Sequence, residues 1–139
     1  MDMSASLKRV IYVSERADTT NSDLQEIINS SRVNNPQNDV TGCLVSGINS
    51  YLQLLEGPDA SVDELYVKIS KDTRHTNIVK LNEEAIDSRL FTSWSMRLDP
   101  FNNLMWSDEE INAGNFLNIT ATNALNIFTR IHEQGKSVF

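Results

Sequence analysis

The sequence predicts an α+β sandwich of order β-α-β-β-α-β-β, and three observations carry that prediction. An apolar run of strand length, residues 51–57 (YLQLLEG), stands near the middle of the chain and stops at Gly57-Pro58. A second run, residues 7–14 (LKRVIYVS), alternates faces near the N-terminus. Between and after them lie two stretches of helical periodicity, each opened by a capping-box pattern.

The elements follow in order. In residues 7–14, Val10, Tyr12 and Ser14 share one face, and Ile11 and Val13 share the other. Ser22-Asp23-Leu24-Gln25 then has the form of a capping box, and Leu24, Ile27, Ile28 and Ser31 recur at helical spacing to about Arg32. Asn34-Asn35-Pro36 stops this helix, because a residue before proline is pushed out of the α region. Residues 40–46 predict a second strand and 47–50 a hairpin loop into the third, 51–56. Ser61-x-x-Glu64 offers the second capping box, with Val62, Leu65, Tyr66 and Ile69 as the apolar stripe of a helix running to about Asp72. Residues 78–86 and 94–98 are weaker strand candidates around a polar turn with Arg89. This order is that of a ferredoxin-like sandwich with one extra strand: first and third strands at the centre, both helices on one face.

Beyond Pro100 the pattern becomes helical. Ser107-x-x-Glu110 opens a short helix that Gly114 closes, and Ala121, Ala124, Phe128 and Ile131 share a face of a last helix closed by Gly135. The expected organisation is one domain over residues 1–99, with 100–139 as a helical cap on the free face of the sheet rather than a separate domain.

Composition narrows the function classes. The chain has 139 residues, one cysteine (Cys43) and a formal net charge of −7, with no apolar run of membrane-spanning length and no apolar N-terminal signal region. The acidic balance argues against nucleic acid as a ligand, since phosphate binding needs clustered Lys and Arg. No membrane partner is expected, and a reducing cytoplasmic location is. No Gly-rich phosphate loop, metal-ligand spacing or Ser-His-acid set occurs, and His75 and His132 lie on different elements, so no catalytic turnover is expected and no metal site.

Gln53 is the anomaly. A central strand does not tolerate an amide unless its groups find partners, because an unpaired buried amide costs roughly 1–3 kcal/mol. Tyr12 would be its neighbour on the adjacent central strand, so the crevice between the two helices would end on a phenol and an amide. Each residue also has a plainer role. Tyr12 suits a core rim, Asn34-Asn35-Pro36 a helix stop, His75 a solvated helix-end charge, and Trp94 and Met96 ordinary strand packing.

Taken together, Tyr12, Ser31-Arg32-x-Asn34-Asn35, Val40-Thr41-Gly42, Leu52-Gln53-Leu54-Leu55-Glu56-Gly57, Asp72-x-Arg74-His75 and Phe91-x-x-Trp94-Ser95-Met96 resemble the BLUF domain, a family of blue-light sensors using a flavin. The resemblance covers about residues 7–98, and the remainder looks like the short type in which two C-terminal helices replace a fused effector. It implies a flavin between the two sandwich helices: FAD, with FMN and riboflavin as alternatives. Asn35 would bond the pyrimidine edge of the ring, with Asn34 and Ser31 nearby. Gln53 would lie between Tyr12 and the ring, Ile27 and Ile69 would pack against it, and His75 would sit near its edge. Lys68 and Asp72 would lie near the ribityl and phosphate portion. Lys68 stands where the family often has Arg, which replaces a bidentate fork by a point charge. Trp94 and Met96, on a last strand beside the first, would report the state of Gln53. The resemblance further implies signalling to a downstream protein partner and a homo-oligomer. The rival readings are a non-photoactive ferredoxin-like dimerisation module and a flavin enzyme built in the same crevice.

Overall fold

The computed structural model describes residues 6–16, 29–30, 33–34, 36–46, 50–72, 75–92, 97–100 and 120–138. Among these residues five strands form one sheet of order β4-β1-β3-β2-β5. They are β1 (Leu7–Arg16), β2 (Thr41–Ser46), β3 (Ser50–Pro58), β4 (His75–Ile86) and β5 (Arg97–Pro100). Helices α1 (Asp59–Ser70) and α2 (Ala121–Val138) accompany them. Residues 29–30 and 33–34 are helical, and Pro36–Asn38 forms a 3-10 turn before β2. The fold is α+β and ferredoxin-like, with β1 and β3 antiparallel at its centre as the sequence predicts.

Face alternation decides the core. Val10, Tyr12, Leu44, Tyr51 and Leu55 are buried on the α1 side with Val62, and Leu65, Tyr66 and Ile69 of α1 pack against them. Ile11, Val13, Cys43, Val45, Leu52 and Leu54 face the other way, onto Phe91 and onto Ala124, Ile127, Phe128 and Ile131 of α2. Each fully buried Leu, Ile or Phe contributes about 1.5–3 kcal/mol of transfer free energy. The central strands β1, β2 and β3 are thus buried on both faces, and α2 covers the face that the sequence left free. Gly42 allows β2 to approach β3 closely: a Cβ there would collide with the Leu54 carbonyl oxygen.

Several expectations change. β5 pairs in parallel with β2, Cys43 opposite Arg97, and so lies at the far edge of the sheet rather than beside β1. The free edge of β1 is taken by the 12-residue β4, which leaves only the edge of β2. β4 begins at His75, three residues earlier than its apolar pattern indicates. Register shifts against β1 and a left-handed Asn77 (φ 52°) absorb the irregular pattern. Helix α1 begins at Asp59, so Ser61 lies inside it and no side chain caps it. Pro58 enters the helix from extended backbone, and the Asp59 N–H donates to the Ser6 carbonyl at 3.0 Å, a tertiary bond in place of a cap. Helix α2 passes through Gly135 to Val138, since glycine permits a C-terminal stop without imposing one. At its other end Thr120 supplies a side-chain cap, its Oγ1 accepting from the Asn123 N–H at 3.1 Å.

The predicted helix 22–32 apart from residues 29–30, the loop 47–49, the short helix after Ser107, and the site candidates Ile27, Ser31, Asn35, Trp94 and Met96 lie outside the described residues.

Candidate functional site

Tyr12 and Gln53 are opposite each other across the β1–β3 ladder, and both side chains point to the α1 side. Tyr12 Oη donates to Gln53 Oε1, and each residue is only 3% exposed. The amide in the apolar strand therefore has a partner, which satisfies the desolvation argument. Burial pushes the Tyr12 phenol far above its ordinary range, with Tyr66 and Asp72 adding to the shift. Tyr12 is consequently a neutral hydrogen-bond donor at any physiological pH.

Two rings frame that phenol edge-on: Tyr66 of α1, with centroids 5.8 Å apart, and His75, at 6.0 Å. His75 is buried and bonded on both nitrogens. Nε2 lies 2.7 Å from the Ile69 carbonyl oxygen, which can only accept, so Nε2 carries the proton. Nδ1 lies 2.7 Å from Ser14 Oγ. This excludes the solvated helix-end role for His75 and makes it a clasp between β1, β4 and the end of α1. Lys80 of β4 places its Nζ 4.6 Å from the Tyr66 ring centroid, a cation–π contact on the outer side of the same group.

A cleft of about 250 Å³ opens between the segment around residues 33–38 and α1. Asn34, Gln37, Asn38, Ser61, Glu64, Leu65 and Lys68 line it. Leu65 also packs against the Tyr12 cluster, so the cleft adjoins the buried phenol–amide pair. Its wall is amide-rich, and Lys68 stands across from Asn34 with its Nζ 3.8 Å from Glu64. Amides offer donors and acceptors together, which matches the alternating edge of a flavin. A cation at the mouth matches a phosphate. The donor set therefore fits a flavin.

The structure thus gathers Tyr12, Gln53, Ile69 and His75 around one buried centre, with Asp72 close enough to influence the phenol, and sets Asn34 and Lys68 on the adjoining cleft. Sequence reasoning missed three participants. Tyr66 was legible only as part of an apolar stripe, and Ser14 only as a polar residue on the right face. Glu56 is wholly buried. Its signal was an acid inside an apolar strand, opposite Arg9 on the neighbouring one.

Against this geometry, residues 7–97 match the model of the BLUF family, described as sensors of blue light using FAD. The chain belongs to the BLUF family. Among curated BLUF relatives, it is 37% identical over 93 residues to the blue light- and temperature-regulated antirepressor BluF of Escherichia coli (strain K12), covering 66% of this chain and 23% of that protein. It is 32% identical over 75 residues to the photoactivated adenylate cyclase subunit beta of Euglena gracilis, covering 53% of this chain and 9% of that one. The chain therefore spans about a quarter or less of these relatives. Among solved structures it superposes on the BlsA ground state with a TM-score of 0.82 at 29% identity, covering 91% of this chain and 87% of that one. On the dark state of the BLUF protein BlrB the TM-score is 0.79 at 27% identity, covering 94% and 98%. A BLUF domain is a flavin-binding photosensor. Among the described residues, no helix is long and apolar enough to cross a membrane.

Proposed function

We propose that this chain senses blue light through the Tyr12–Gln53 pair, with a flavin held between α1 and the segment that carries Asn34 and Asn35. The observation that carries this reading is the buried hydrogen bond from Tyr12 Oη to Gln53 Oε1. A bound flavin supplies the absorption of blue light and a ring that accepts an electron. Tyr12, neutral and already bonded to Gln53, is the donor of an electron and then of its phenolic proton, which moves along that bond to Oε1. Gln53 carries both kinds of hydrogen-bonding group. As the electron and a proton return to the phenol by recombination, the amide is left in a changed tautomer or rotamer and presents a different face to the ring edge. Extra donation from the amide shifts the absorption to the red.

The holding groups are Asn34, Asn35 and Ser31 for the pyrimidine side, Ile27 and Ile69 for packing, and Lys68 with Asp72 for the ribityl and phosphate portion. His75, whose nitrogens are bonded to Ser14 and Ile69, holds the Tyr12 side of the site from behind. FAD is the proposed flavin, supported by the family description. Trp94 and Met96 report the state of Gln53. Residues 1–99 form the sensing domain and 100–139 its helical cap. The output is a changed contact with a downstream protein in the cytoplasm, from a homo-oligomer and without turnover. Relatives named as an antirepressor and as cyclase subunits support signalling to an effector.

The test is the visible spectrum of the purified full chain loaded with FAD, before and after blue light. The band moves to the red and relaxes in the dark. Tyr12→Phe keeps the flavin and loses the shift; a shift that survives in that variant removes Tyr12 from the mechanism.

A further inference from the structure

The β1–β3 pair carries a second side-chain link besides Tyr12–Gln53. Three residues along each strand, on the opposite face, Arg9 and Glu56 are also cross-strand partners. Arg9 Nε donates to Glu56 Oε2 at 2.8 Å, and Arg9 Nη1 reaches Glu84 Oε1 of β4 at 2.8 Å. The Glu56 carboxylate is wholly buried and accepts two backbone N–H groups as well: Leu90 at 2.9 Å and 3.0 Å, and Phe91 at 2.9 Å. Leu90 and Phe91 belong to no strand or helix, so this carboxylate does for them what a sheet ladder does elsewhere. The Phe91 ring in turn packs edge-on against Phe128, at 6.3 Å, and His132, at 6.1 Å, both on α2.

From this we infer that Glu56 is a positioning residue that passes the state of Gln53 through Leu90–Phe91 to helix α2. The inference rests on the reading of Tyr12–Gln53 as the light-sensitive pair. When the Tyr12–Gln53 bond changes, the spacing of β1 and β3 is reset on the α1 face, and the Arg9–Glu56 pair spans the same two strands on the other face. The carboxylate does not release its partners to accommodate the change. Its bonds are charge-assisted, and letting go would leave two buried N–H groups unsatisfied. Leu90 and Phe91 therefore move with β3, and Phe91 alters its packing on Phe128 and His132.

Two variants of the full, FAD-loaded chain test this: Glu56→Gln and Phe91→Leu. In Glu56→Gln one oxygen still accepts from Leu90 and Phe91, but the new amide N–H₂ faces the Arg9 N–H, donor against donor, which cuts the link to β1. Amide hydrogen exchange on α2 is read in the dark and under blue light, beside the visible spectrum. In both variants the red shift persists and dark exchange on α2 stays near that of the parent, while the light-induced change in exchange falls by about fivefold or more, the lower end of typical coupling. A light-induced change of parental size in either folded variant overturns the inference. So does a parent that shifts to the red with no change on α2, or a loss of dark protection on α2 in both variants, which would make Glu56 purely structural. If one variant fails to fold, the other decides by the same criteria. A parent with no red shift refutes the photochemical reading itself and is told apart by the spectrum alone.

Discussion

The two faces of the sheet bury polar groups in opposite ways. On the α1 face, Tyr12 bonds Gln53, and separately Ser14 bonds His75, whose other nitrogen meets the Ile69 carbonyl. On the α2 face, whose core holds Phe91 and Phe128, one carboxylate is fixed by a guanidinium and two backbone N–H groups. Neutral bonds contribute about 1 kcal/mol net and are readily exchanged, whereas charged ones are roughly twice as strong and hold their partners. A rearranging site on one face and a rigid transmitter on the other is the division that this difference allows.

The largest effect that would break this comparison is Glu56→Ala. Removal of the carboxylate strands the Leu90 and Phe91 N–H groups and leaves Arg9 with Glu84 alone, so a loss of about 3–5 kcal/mol is expected in urea unfolding. Gln53→Leu, on the other face, fills the space with apolar atoms but leaves the buried Tyr12 hydroxyl without its acceptor, so about 1–3 kcal/mol is expected. Equal losses at the two positions would erase the distinction between the faces.

Alkaline pH sharpens the α1 side. The Tyr12 phenol is pushed up from an ordinary value of 10.0, with burial the main cause. The folded chain thus keeps a proton that the unfolded chain gives up. This contribution leaves stability unchanged below about pH 10 and lowers it as pH rises above that value toward the folded one. Denaturation midpoints across pH 9–11 check the sign. The difference in phenolate absorbance between the parent and Tyr12→Phe should be absent over the same range, and a Tyr12 signal at pH 10 would place water beside the phenol.

The smallest test compares the helices that cover the two faces. Thr120→Ala removes the side-chain cap of α2 and should cost about 1 kcal/mol. Ser61→Ala, inside α1, should change stability by no more than a few tenths. A cost at Ser61 equal to that at Thr120 would restore the capping role that the sequence suggested for Ser61.

Much of the site was legible because alternation and composition are local. Placing Tyr12 on one face of β1 and Gln53 on one face of β3 needs only a period of two, and an amide in an apolar strand announces its need for a partner. Element ends were less legible. Ser61-x-x-Glu64 has the form of a cap, yet α1 starts at Asp59 because Ser6, distant in the chain, accepts the Asp59 N–H. Glu56 escaped notice because its partners, Arg9, Leu90 and Phe91, are 47, 34 and 35 residues away.

By itself, then, the sequence determined the strand faces, the central β1–β3 pair and the family motifs, all properties of short stretches or of their order. The tertiary structure alone decided that β5 joins the β2 edge, that His75 is a buried clasp rather than a solvated charge, and that a carboxylate on β3 holds the segment leading to Trp94 and Met96. The physical reason is the same in each case. An unpaired strand edge, a ring nitrogen and a buried charge must all find partners, and which partner is near is set by the packing of the whole chain.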